Sequence, residues 1–233
     1  FTVVARNRML EKAKAKRGKF KNVRVIGITG SYGKTSTKEF LAHILGQKYK
    51  VLKTPEHQNS EVGVANTILR SLTDKHEIFV CEMGAYSKGG ITLLADIAKP
   101  DMGIVTGVNE QHLATFGSME NLLSAEGGKE LIASLPKDGV AFVNQSVKER
   151  IPKYNAACKI AYYGEAENIK VEKEHVAFDV DGIKFKVSSY GRHNVENLLG
   201  AIAAARSIGM SLEEIAKACE TINSDEGAIK LMS

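Results

Sequence analysis

NVRVIGITGSYGKTSTK, residues 22–38, reads as a strand running into a glycine loop and then into a helix. Val23, Val25, Ile26 and Ile28 make a short apolar run, Gly27, Gly30 and Gly33 punctuate it, and Phe40, Leu41, Ile44 and Leu45 recur at helical spacing beyond it. Glycines let successive backbone N–H groups turn toward one point, a helix start adds unpaired donors and a positive dipole end, and Lys34 adds a mobile charge. Such a nest suits a phosphate, with Gly30, Ser31, Gly33, Lys34, Thr35 and Ser36 as its candidate contacts. The Thr35 hydroxyl follows the lysine, where it can reach a magnesium ion bridging the outer phosphates of a nucleotide.

The spacing differs from the common phosphate loops. A Walker A loop needs glycine where Ile28 stands, and the dinucleotide fingerprint needs it at Thr29. TGSYGKT, residues 29–35, is therefore a shorter loop. A glycine turn with no ligand is the alternative; a β-like run before GKT and an amphipathic run after it favour the ligand.

Downstream of the loop, VLKTPEHQN (51–59) carries a Thr54-Pro55 turn signal and then polar residues. Val62, Ala65, Ile68, Leu69 and Leu72 predict a helix over 61–72. Ile78–Cys81 is a compact β-run ending at Glu82, and ligands of open α/β sheets sit beyond the carboxyl ends of strands, so Glu82 is a candidate magnesium carboxylate. A helix over 91–98 stops at Lys99-Pro100-Asp101, and a strand over 102–108 leads into a polar loop with Asn109, Glu110 and His112. His112, at the tip of a third strand, is either a metal ligand or a structural histidine. A helix is expected over 118–135, capped by Ser118 and containing Glu126, and then a strand over 139–143 after the Asp138-Gly139 turn.

From Lys159 the pattern becomes short alternating runs to residue 187, with Asp181-Gly182 as a hairpin turn, which predicts a small antiparallel meander. Gly191-Arg192-His193-Asn194 opens a helix ending near Gly209, and Ser211 with Glu214 forms a capping box for a last helix. The fold class is thus α/β, a mostly parallel P-loop-type sheet flanked by helices, with the meander at about 159–187.

A chain of 233 residues is long enough for one large domain. Its formal charge of +5 is concentrated in Arg6, Arg8, Lys12, Lys14, Lys16, Arg17, Lys19, Lys21 and Arg24. That leader lacks the interleaved aromatics of a nucleic-acid site and the long apolar face of a membrane helix, and reads as a solvated linker helix. Cys81, Cys158 and Cys219 are scattered without metal-ligand spacing and read as reduced thiols, Cys81 buried in a strand. No apolar run approaches membrane-spanning length and no signal-peptide pattern opens the chain, so a cytoplasmic protein is expected; no nucleic-acid partner and a monomeric state are expected beside it. The Phe1 start and the Leu231-Met232-Ser233 end suggest an excised domain or fragment.

GITGSYGKTSTK (27–38), TPEHQNSEVGV (54–64), FVCEMGA (79–85), KPDMGIVTGVNEQHLATFGSMEN (99–121) and GRHNVENLLGAIAAA (191–205) occur in this order. Together they resemble the central ATP-binding domain of the Mur ligase family. The likeness is greatest to the MurF type, the branch that joins D-alanyl-D-alanine to a UDP-N-acetylmuramoyl tripeptide, and extends over about residues 22–222. The resemblance implies that Lys34 and the loop amides hold the β- and γ-phosphates of ATP, that Thr35 and Glu82 bind one Mg²⁺, and that His112 helps bind a second. It puts His193, Asn194 and Asn197 at the adenine and ribose end and Asn59 beside a UDP-linked muramoyl peptide. The implied reaction forms an acyl phosphate that an amine then displaces. Many relatives use a CO₂-carbamylated lysine for the second metal; the counted position here is Glu126, with Lys129 about one helical turn later. Glu126 is therefore expected to supply a permanent carboxylate.

The same resemblance makes residues 1–21 a connection from an N-terminal domain and 223–233 the passage into a C-terminal one. Without those domains the chain is expected to bind Mg-ATP weakly and to ligate poorly. A folylpolyglutamate synthase or cyanophycin synthetase relative, and a nucleotide-binding module without catalysis, stay open as alternatives.

Overall fold

Arg24–Thr29 is buried along nearly its whole length, as a central parallel strand flanked by layers on both faces must be. The computed structural model describes residues 2–109, 112–148, 156–173, 175–188 and 191–222. Glu110 and the expected passage at 223–233 lie outside them. The chain runs α1 (Val3–Lys19), β1 (Arg24–Thr29), α2 (Lys34–Gly46), β2 (Val51–Lys53), α3 (Glu61–Ser71), β3 (Ile78–Glu82), α4 (Gly90–Ala98) and β4 (Met102–Val105). It continues through α5 (Leu113–Phe116), α6 (Met119–Ala125), α7 (Lys129–Ala133), β5 (Val140–Asn144), α8 (Gln145–Lys148) and β6 (Lys159–Tyr163). It closes with β7 (Glu167–Val171), β8 (Val176–Val180), β9 (Ile183–Val187), α9 (His193–Ser207) and α10 (Leu212–Glu220).

The main sheet has six strands in the order β2-β3-β1-β4-β5-β6, all pairs parallel. Residues alternate between two cores. Ile26, Ile28, Val80, Ile104 and Phe142 pack beneath α2, α9, α10 and the small sheet, while Val25, Phe79, Cys81, Val105 and Val143 pack beneath α1, α3, α4 and α7. The strand order reverses around β1, so the crevice beyond its carboxyl end is where such a sheet takes a ligand. Register sets Ile28 opposite Glu82 and Thr29 opposite Val105, which brings the tips of β3 and β4 to the mouth of the glycine loop.

Several expectations are corrected. β2 was not foreseen, because Val51–Lys53 is too short to show a period, yet it pairs with Ile78–Val80. Lys159–Tyr163 leaves the meander and pairs parallel with β5; the antiparallel sheet is β7-β8-β9, from Glu167 to Val187. An alternating run on an edge strand looks the same in either setting. The helix expected over 118–135 breaks at Gly127-Gly128. Gly128 has φ +85°, and a Cβ there would clash with Val105. The leader is a helix, solvated over most of its surface but docked along one stripe. Leu10, Ala13 and Arg17 are buried against the α3 and α4 face, and Lys14 donates to Asp96 at 2.6 Å. Arg17 Nε donates to Ala98 O at 2.9 Å, and Nη2 to Val23 O at 3.0 Å. No described helix is long and apolar enough to cross a membrane.

Candidate functional site

The glycine loop is clamped to the tip of β4. Ser31 N donates to Gly107 O at 2.7 Å, Tyr32 bridges Gly107, and Thr106 Oγ1 lies 2.5 Å from Tyr32 O and 3.1 Å from Thr29 O. Gly30 and Gly33 take φ of +145° and +78°, and a Cβ would strike Thr106 Oγ1 on the first and Asn197 Oδ1 on the second. Both must therefore be glycine. With Gly33 as its N-cap, α2 starts at Lys34 without a side-chain cap, leaving its first-turn N–H groups facing the loop's concave side.

Lys34 Nζ donates to Gly30 O at 2.5 Å and to Ser31 O at 3.4 Å. Burial pulls the Lys34 ammonium below the ordinary lysine range, and the negative charges of Glu126 and Glu82 oppose that pull. Two donor pairs flank it. Thr35 Oγ1 donates to Glu82 Oε1 at 3.2 Å, on the β3 side. On the β4 side His112 Nδ1 lies 2.8 Å from Glu126 Oε1, and Ser31 Oγ donates to Glu126 Oε2 at 2.6 Å. Glu82 and Glu126 are each 4% exposed, whereas the His112 side chain is half exposed. Lys129, the other candidate at that position, is exposed on the first turn of α7.

Among the described residues no three His, Cys, Asp or Glu side chains form a metal cage. Magnesium held between phosphates needs no cage, because it keeps waters and takes one or two protein oxygens. The hard oxygens of exposed Thr35 and buried Glu82, beside the glycine loop, suit that ion; the His112–Glu126 pair offers one more carboxylate and a nitrogen.

Asn197 packs on Gly33 and donates from Nδ2 to Asn194 Oδ1 at 3.2 Å, so buried Asn197 stands against the loop and links it to buried Asn194. His193 is exposed, its ring over Gly191. Asn59 Nδ2 donates to Glu82 Oε1 at 2.9 Å, which joins the expected substrate residue to the expected metal carboxylate. Sequence reasoning assigned no place in the site to Thr106 or Lys38, and read Thr54 only as part of a turn. Thr54 Oγ1 accepts from Glu82 N at 3.0 Å, and Lys38 Nζ lies 3.3 Å from Glu82 Oε2. Lys38 sits one turn beyond Lys34 on α2, the one signal that could have found it.

The Mur ligase middle domain family matches residues 28–205. The chain belongs to the Mur ligase family. This Mur ligase domain is 36% identical over 203 residues to the UDP-N-acetylmuramoyl-tripeptide--D-alanyl-D-alanine ligase of Bacillus subtilis (strain 168), a match covering 83% of this chain and 43% of that protein. Its fold resembles MurF from Acinetobacter baumannii with a TM-score of 0.85 at 28% identity, covering 94% of this chain and 50% of that one. It also resembles the MurF ligase from Thermotoga maritima solved in complex with ADP, with a TM-score of 0.77 at 26% identity, covering 91% and 52%. The Mur ligase domain described here spans about half the length of the relatives it matches.

Proposed function

We propose that this chain is the ATP-binding middle domain of an ATP-dependent carboxylate–amine ligase of peptidoglycan precursor synthesis, joining D-alanyl-D-alanine to a UDP-linked muramoyl peptide in the cytoplasm. The observation that carries the reading is the convergence of Thr35–Glu82 and His112–Glu126 on either side of Lys34, at the tips of three neighbouring strands. The similarity to D-alanyl-D-alanine ligases supports this choice of substrates.

In this reading the loop amides and Lys34 bind the β- and γ-phosphates. The substrate carboxylate attacks the γ-phosphorus, the bond to the bridging oxygen breaks, and ADP leaves an acyl phosphate. An amine then attacks the acyl carbon, phosphate departs with the C–O electrons, and the nitrogen loses a proton to give the amide. Attack by one anion on another needs the repulsion neutralised in place, which is the work of Lys34 and the α2 N-terminus. Bound Mg²⁺ would supply further positive charge, held by Thr35 and Glu82, with a second ion at His112 and Glu126. Asn194 and Asn197, with His193 nearby, hold the nucleoside end, and Asn59 faces the UDP-linked substrate. Residues 1–21 connect to an N-terminal domain and 223–233 to a C-terminal one, both in the same chain as a monomer.

Lys34→Ala in the full-length ligase tests the reading. Ligation is expected to fall by at least about a hundredfold, as when a positioned charge on a developing anion is removed. Undiminished biological activity with ligation absent from the wild type would favour a binding module without catalysis.

A further inference from the structure

We propose that Lys38 is the positioning residue of Glu82, tethering one carboxylate oxygen so that the other is presented, with Thr35 Oγ1, to the divalent cation of a bound nucleotide. This rests on the nucleotide reading above. The Lys38 side chain is fully buried, and its Nζ lies between two carboxylates, 3.3 Å from Glu82 Oε2 and 3.2 Å from Glu39 Oε1. Lys53 engages the other oxygen of Glu39 at the surface. Glu82 therefore divides its oxygens: Oε2 faces Lys38, while Oε1 accepts from Thr35 and Asn59. Its backbone N–H is fixed separately by Thr54.

Packing alone does not call for this arrangement. Lys38 Nζ makes ion-pair contacts but no hydrogen bond of good geometry, and buried ion pairs are in general no better for stability than apolar residues of similar volume. What the ammonium adds is direction. A carboxylate at a strand tip can rotate about its last torsion, and a cation on the side away from the loop removes that freedom. Coordination geometry held by residues behind the ligand commonly changes metal affinity ten- to a hundredfold when lost.

The test is calorimetric titration of ATP into the 233-residue chain, with Mg²⁺ and with EDTA, for wild type, Lys38→Met and Lys38→Met/Glu39→Gln. Binding of Mn²⁺ in the presence of ATP, followed by electron paramagnetic resonance, is a second readout. In Lys38→Met the gain in ATP affinity on adding Mg²⁺ is expected to fall about tenfold or more, with metal-free affinity within about twofold of wild type. The double variant keeps the local net charge, so a role through charge alone would restore the gain, whereas a tether would leave it lost. A folded Lys38→Met with the wild-type gain overturns the proposal, as does restoration in the double variant. A Lys38→Met protein with no native thermal transition also overturns it, by making Lys38 a packing residue. A wild-type chain that binds no ATP in either buffer defeats the nucleotide reading instead.

Discussion

Ser31 and Glu126 are joined at 2.6 Å, hydroxyl to carboxylate, so the glycine loop and the end of α6 hold one another in place. The other oxygen of Glu126 meets His112. The carboxylate thus belongs to the loop's surroundings, whereas Lys129 is exposed on α7.

The first prediction follows from that contact. If Glu126 itself supplies the carboxylate of a second metal site, turnover of the full-length ligase is independent of added bicarbonate, and Glu126→Gln lowers kcat by about tenfold to a thousandfold. Steady-state assays with and without bicarbonate check both. A strong rise with bicarbonate in the wild type would shift the role to Lys129.

Gly33→Ala is expected to cost about 1–3 kcal/mol, because the new methyl combines positive φ with a clash on Asn197. Asn197→Gly in the same chain relieves the clash but not the backbone strain, so recovery is partial. Thermal melts of the single and double variants measure the difference.

These two sites show how far the sequence reached. The strand, loop and helix around Lys34 were legible because apolar period, glycine spacing and the GKT string agree. Glu82 and His112 were placed beside the glycine loop by the rule that strand tips face one crevice, and that is where the structure has them. Lys38 was not, since its spacing one turn beyond Lys34 is shared by many solvated lysines and does not by itself mark a buried one. The break at Gly127-Gly128 was passed over because leucines recur on both sides of it (Leu122, Leu123, Leu131, Leu135), although Leu131 falls about half a turn out of phase with Leu122. The docking of α1 was hidden by its charge: Arg17 reads as solvated, yet it closes the carboxyl end of α4 by donating to Ala98 O and Lys99 O.

Arg17→Ala is accordingly expected to destabilise the domain by about 2–4 kcal/mol, leaving buried carbonyls of Ala98 and Val23 without their donor. Denaturant unfolding reads this, and neighbouring Lys16→Ala is expected to change it by less than half as much.

Acid should loosen the same helix. The hydrogen bond from Lys14, and then that from Lys99, hold Asp96 below its ordinary value of 3.8. A carboxylate depressed in the folded state stabilises above its unfolded value and loses that contribution as pH falls through its folded one. The melting-temperature gap between wild type and Asp96→Asn is therefore small, as for a largely exposed pair, fully present at neutral pH, and closes as pH drops below 3.8. A gap that widens in acid would exclude this origin.

The most direct measurement is calorimetric titration of Mg-ATP into the wild-type chain and into Lys34→Ala, each with its thermal melt recorded. The expected result is weak, saturable binding to one site in the wild type and its loss in Lys34→Ala, with the melting transition retained. Equal binding by the two proteins would contradict a nucleotide site built around the glycine loop.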